Sequence, residues 1–319
     1  MVKQKKEPDI MESRHRRAKH GGSRSKNKKK HRVLKIIGFI VLFLVLISGV
    51  MLGKAYMDVK KVSDKSYQAI DRTTQAKLPS LKAKSPFSFL FLGINGKSVN
   101  DILVLTMNPK QDKTTVVSLN RDIYLTSESA TINEVYSKKG VSGTIDALQK
   151  LLGTDIPKYM TFDMSGLGDF VTAVGGIKIQ NETHFISNGY EFKPGTLTLE
   201  KKDEVNAFLT QVGEDTKKAE NSLIEREQAV LMAVIPKMKS KDTILKYNQF
   251  LNAFGSNIKT DFIFGNLKAL GLHYSGVLGN INKENLKTSK TMIDGKDQKI
   301  LTEDQVNKAH DKIQSALSE

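Results

Sequence analysis

The stretch FSFLFLGINGKSVNDILVLTMNPKQDKTTVVSLNRD, residues 87–122, decides the fold. It holds three short apolar runs, FSFLFLGI (87–94), ILVLTM (102–107) and TVVSL (115–119), punctuated by Gly, Asn, Asp and Pro. Runs of this length, rich in β-branched and aromatic residues, read as strands. NPKQDK between the second and third is turn chemistry, so these two are expected to pair as an antiparallel hairpin. That pairing carries Asp101, just ahead of the second strand, and Arg121, just after the third, to the same end of a sheet.

Downstream, residues 142–152 follow a helical period, with Ile145, Leu148, Leu151 and Leu152 on one face. Strands are expected at 159–164 and 176–180, with a helix over 167–174 between them. Gly175 and Gly176 mark a turn that needs positive φ. Residues 218–238 read as a long helix with Leu223, Ala229, Val230, Ala233 and Val234 toward a core. Further helices are expected at 242–251, 262–270 and 302–317. Strands and helices alternate, so the class is α/β, a mixed central sheet flanked by helices over residues 86–319.

Upstream the character changes. Residues 36–52, IIGFIVLFLVLISGVML, hold no charge and have no polar face, and with their flanks they span 33–53. At about 1.5 Å rise per residue, some 20 apolar positions match a bilayer core, so one transmembrane helix is expected there. Residues 1–35 carry 14 Lys/Arg against 3 Asp/Glu, a net +11, while the whole chain has a net +16. The basicity therefore belongs to an arm, read as disordered over 1–32. Positive charge stays on the cytoplasmic side, so the N-terminus is expected inside and the C-terminal body outside, on a single-pass cell-membrane protein. Residues 54–85, polar with scattered apolar side chains, read as a helical stalk and linker, with the folded body starting near Pro86. The arm suits anionic lipid; contacts with nucleic acid would be nonspecific, and no specific nucleic-acid partner is expected.

Composition removes several chemistries. Cysteine is absent, which excludes disulfides, thiolate metal sites and a Cys nucleophile. No phosphate-binding Gly-rich loop ending in Gly-Lys-Ser/Thr occurs, no H-E-x-x-H and no G-x-S-x-G. Three of the six histidines lie in the arm and the others are scattered. What remains is the polar pair at the hairpin end. Arg121 is suited to clamp a phosphate bidentately and Asp101 to hold Mg²⁺ through oxygen. A salt bridge that caps the hairpin is the alternative reading of the same residues.

Three segments carry a resemblance. GINGKSVNDILVLTMNPKQDKTTVVSLNRDIYLT (93–126), the run from TINEVY to VGGIKI (131–179) and IEREQAVLMAVIPKM (224–238) resemble, in order and spacing, the LytR-CpsA-Psr family of bacterial cell-envelope proteins. The resemblance implies a mixed α/β domain outside the membrane that binds a polyprenyl-pyrophosphate lipid in an apolar tunnel. It also implies transfer of the glycopolymer, wall teichoic acid or capsule-like polysaccharide, to peptidoglycan, with arginines on the pyrophosphate and Asp-bound Mg²⁺ assisting. Carried over residue by residue, Asp101 and Arg121 are the catalytic candidates, with Asp101 also the metal ligand. Arg121, Asp122, Arg226 and Gln228 are the substrate-binding candidates. Asn133, in the family's I-N-x-x-Y element, is expected to organise a loop.

The chain also departs from the family pattern. The usual acid after the first strand is Asn95. The Arg two residues ahead of Asp101 is Val99, and a Y-x-R-x-R stretch falls on Phe208 to Val212 without an arginine. Glu227 interrupts the usual Arg-Gln pair, and no arginine occurs between Arg121 and Arg226. Lys97 and Lys217 are candidate substitutes as point charges. Two functions therefore stand open: an envelope glycopolymer transferase, and a catalytically degenerate relative that binds and regulates other envelope proteins.

Overall fold

The computed structural model describes residues 54–318, apart from 75, 211–212, 214–215, 238–245, 275 and 279. The basic arm and the apolar span at 33–53 lie outside the described residues. Among the described residues no helix is long and apolar enough to cross a membrane.

In chain order, α1 (Lys54–Ser66) leads to β1 (Phe87–Asn95), β2 (Ser98–Asn108) and β3 (Lys113–Leu119). Next come β4 (Tyr124–Leu125), β5 (Ala130–Thr131), α2 (Ile132–Leu152), β6 (Lys158–Asp163), α3 (Leu167–Ala173) and β7 (Ile177–Asn181). Then follow β8 (Phe185–Ser187), β9 (Tyr190–Phe192), β10 (Gly195–Leu199), α4 (Lys202–Phe208), α5 (Thr216–Lys237), α6 (Tyr247–Asn257), β11 (Ile258–Thr260) and α7 (Phe264–His273). The chain closes with β12 (Ile281–Asn285), β13 (Ser289–Ile293), β14 (Lys296–Ile300) and α8 (Glu303–Leu317).

Six strands form the central sheet in the order β11-β6-β1-β2-β3-β12. β1 and β2, and β2 and β3, pair antiparallel, as the turn chemistry requires, while β6 and β12 join in parallel, so the sheet is mixed. β1 and β2 are buried almost end to end because both sheet faces are covered. One face carries Phe87, Phe89, Phe91, Leu103, Leu105 and Val116 into a core shared with α1 and α3 to α7. The other carries Leu90, Leu92, Ile102, Val104 and Val117 against α2 and α8.

α2 begins ten residues before the expected start. Thr131 and Glu134 cap it reciprocally, Thr131 N donating to Glu134 Oε2 at 2.7 Å and Glu134 N to Thr131 Oγ1 at 3.2 Å. Gly140, at φ 62°, breaks its regularity midway, which explains why the apolar period is clear only in its second half. Gly175 and Gly176 do adopt positive φ, 78° and 89°.

The segment read as a stalk is packed on the body. Val59 and Val62 of α1 and Leu81 are core residues. Arg72, in the same segment, forms a buried ion pair with Asp261 at 2.5 Å and donates to the Ile156 carbonyl at 2.9 Å. The expected helix at 242–251 is found as α6, shifted toward the C-terminus, with residues 242–245 outside the described residues.

Candidate functional site

The site grows from the open end of the β1–β2–β3 meander. Ile102 pairs with Leu119 and Gly93 with Asp101, so Asp101 and the loop that carries Arg121 emerge together. Asp101 shares parity with Leu103 and Leu105, which places it on the α5 side of the sheet. Its carboxylate crosses directly over Gly93: a Cβ there would sit 2.9 Å from Asp101 Oδ2 and 2.7 Å from Met164 Cε. Only glycine permits that approach.

Asn133 fixes the geometry of this end. Its N–H donates to the Arg121 carbonyl at 3.0 Å and its Oδ1 accepts from Val99 N at 2.9 Å. One residue at the start of α2 thus ties the Arg121 loop to the start of β2, the organising role expected of it.

Asn100 is the hub. Its Oδ1 accepts from Arg121 Nη1 at 2.9 Å, and its Nδ2 donates to Glu227 Oε2 at 2.7 Å. The other Glu227 oxygen accepts from Asn95 Nδ2 at 3.0 Å. Glu227 projects from α5 and is only 2% exposed. It therefore stitches the long helix to the ends of β1 and β2. Burial drives its carboxyl up to about 7, with the nearby Asp101 charge adding and the two asparagine amides opposing.

The five expected residues separate in the structure. Arg121 donates to Asn100, the residue before Asp101 in β2. Asp122 is exposed and pairs with Lys299 of β14 at 2.6 Å. Arg226 is buried, and all three nitrogens serve the protein itself: Nε donates to the Phe208 carbonyl at 2.8 Å, Nη2 to the Thr210 carbonyl at 2.7 Å and Nη1 to Ser222 Oγ at 2.8 Å. Its guanidinium also stacks 4.7 Å from the centre of the Phe185 ring. Arg226 clamps the C-terminal end of α4. Gln228 lies on α5, its side chain outside the described residues. Lys97 is exposed on the β1–β2 turn, and the side chain of Lys217 is outside the described residues.

Glu227 was not among the expected site residues. Its signal was a pair of departures: a neutral amide at 95 where an acid is usual, and an acid at 227 where an amide is usual. The two bond each other, so the carboxylate has moved from strand to helix and the local charge is kept. A cavity of about 1000 Å³ lies elsewhere, on the α2 side, lined by Glu128, Lys139, Asp146, Lys150, Thr154 and Gln314. The cluster lies on the opposite sheet face.

A sheet of this topology, with a polar cluster at the end of its meander above a broad apolar layer, defines a mixed α/β domain flanked by helices. The chain matches the model of the LytR_cpsA_psr family over residues 54–315 and belongs to that family. It is similar to the polyisoprenyl-teichoic acid–peptidoglycan teichoic acid transferase TagU of Enterococcus faecalis, 29% identical over 92% of this chain and 99% of that protein. It is also similar to biofilm regulatory protein A of Streptococcus mutans, 30% identical over 73% of this chain and 64% of that one. Among solved structures, Bacillus subtilis TagV is 26% identical, with a TM-score of 0.53 over 73% of this chain and 98% of that chain.

Proposed function

We propose that this protein is a membrane-anchored transferase that moves a glycopolymer from a polyprenyl-pyrophosphate carrier to peptidoglycan. The observation that carries the reading is the cluster itself: Arg121, held by Asn100 next to two acids, at the edge of the apolar layer between sheet and α5. A pyrophosphate lipid needs cationic donors beside an apolar bed. The E. faecalis relative is named for a reaction of this kind.

In the step proposed, an acceptor hydroxyl of peptidoglycan attacks the phosphorus attached to the glycopolymer. The bond to the lipid-side phosphate breaks, and the lipid leaves as its monophosphate. Arg121 neutralises charge on the phosphate oxygens, which is the main demand of phosphoryl transfer. The hydroxyl proton passes to Glu227, whose carboxyl is pushed up to about 7 by burial.

The donor set fits Mg²⁺. That ion is held by one or two carboxylates and completed by substrate phosphates and water, and Asp101 supplies one. No group of three or more ligating side chains is present among the described residues. Asp101 would hold the ion, which supplies charge neutralisation at the phosphates when bound.

A second reading, a non-catalytic binding or regulatory protein, is favoured by one observation: Arg226 is fully engaged in structure and adds nothing to the phosphate clamp. The test is turnover. The purified chain with a polyprenyl-pyrophosphate oligosaccharide, an acceptor glycan and Mg²⁺ is expected to release polyprenyl phosphate. Lipid binding without release would establish the regulatory reading instead.

A further inference from the structure

β12 is the edge strand on the β3 side. Ile281 packs on the core under α5, and Glu284 turns the other way to pair with Lys308 of α8 at 2.8 Å. Lys283, two residues from Ile281, therefore shares the α5-side face with Asp101, at register with Val116. It is partly buried, and its ammonium makes no hydrogen bond and no ion pair among the described residues. Burial pulls its pKa down to about 8, the Asp101 charge opposing. The Asp101 carboxylate attracts it across the sheet face without closing an ion pair, so the desolvated ammonium keeps donor capacity to spare. Such a residue serves an anion that arrives from outside.

We propose that Lys283 is a phosphate-contacting cation of the lipid site, standing in for arginines absent from α4 and α5. This rests on the lipid-carrier reading above and names a residue it did not use. The neighbours favour it. Arg226 is committed to α4, and Lys299 to Asp122, so neither replaces the missing charge. Lys283 sits beside Val116 and Ile281, at the rim of the apolar core on the α5 side of the sheet. A lysine gives a point charge rather than a fork, so it would tolerate a headgroup phosphate in more than one orientation.

Titration calorimetry of the full chain with geranyl pyrophosphate, and with geraniol as the phosphate-free control, tests the proposal. Lys283→Met is expected to weaken geranyl pyrophosphate binding about tenfold or more while geraniol binding is unchanged. Lys283→Arg is expected to keep most of the affinity. Without lipid, Lys283→Met is expected to melt at a higher temperature than the unsubstituted chain, because it removes a partly desolvated charge that closes no ion pair. Unchanged geranyl pyrophosphate affinity in Lys283→Met would overturn the assignment and leave the lipid reading standing. A lower melting temperature would mark a structural lysine and overturn it as well. No binding of geranyl pyrophosphate by the unsubstituted chain would remove both.

Discussion

Glu227 shows how one side chain joins structure to chemistry. Its folded pKa of about 7 lies above the ordinary 4.5, so the folded chain holds a proton that the unfolded chain releases. Stability from this group is therefore full below pH 4.5 and is lost as pH rises through 7, by at most about 3 kcal/mol. Glu227→Gln keeps the shape and removes the titration. Urea unfolding at pH 5 and pH 8 is expected to show a smaller pH-dependent loss in the variant than in the unsubstituted chain. An identical loss in both would mean that Glu227 is not the titrating group. At this scale the sequence was only partly legible. Asp101 and Arg121 stood at strand ends, where pattern and resemblance agree. Arg226 looked like a ligand group because its position was kept, yet it satisfies backbone carbonyls at the end of α4, a demand that no linear pattern displays. Glu227 lay hidden because its partners, Asn95 and Asn100, are more than a hundred residues away.

Among the elements, the meander was readable because each strand is a dense apolar run bounded by turn residues. The small hairpins β8–β9 and β13–β14 are half-exposed and short, so their periodicity is weak. Their turns did carry a signal: Asn188-Gly189 and Asp294-Gly295 all take positive φ, the conformation that such dipeptides supply to tight hairpins. The segment before β1 was misleading for a different reason. Its apolar residues are sparse, and a sparse pattern looks like a linker when a few anchors suffice. Those anchors are Val59, Val62, Leu81 and the buried Arg72–Asp261 pair. Leu81→Ala is therefore expected to destabilise the body by about 2–4 kcal/mol, as a core truncation does. A denaturation midpoint unchanged by this substitution would show that the segment is only a tether.

For the whole molecule, the sheet separates two services. The α2–α8 side is a core that holds Asn133 and the loop ends in place. The α5 side joins an apolar layer to Asp101, Arg121, Glu227 and Lys283. An exterior location for this body is our proposal, supported by the charge asymmetry of the first 35 residues. The absence of cysteine makes the topology easy to test. With Lys290→Cys, an exposed position, an impermeant maleimide is expected to label whole cells; labelling only after lysis would place the body inside. The central claim is transfer. The most direct measurement incubates the full chain with a polyprenyl-pyrophosphate-linked glycopolymer, peptidoglycan and Mg²⁺, and counts polymer covalently joined to the wall. The prediction is accumulation on peptidoglycan that falls about a hundredfold with Arg121→Ala. Polymer that stays on its lipid while the protein still binds it would contradict the account.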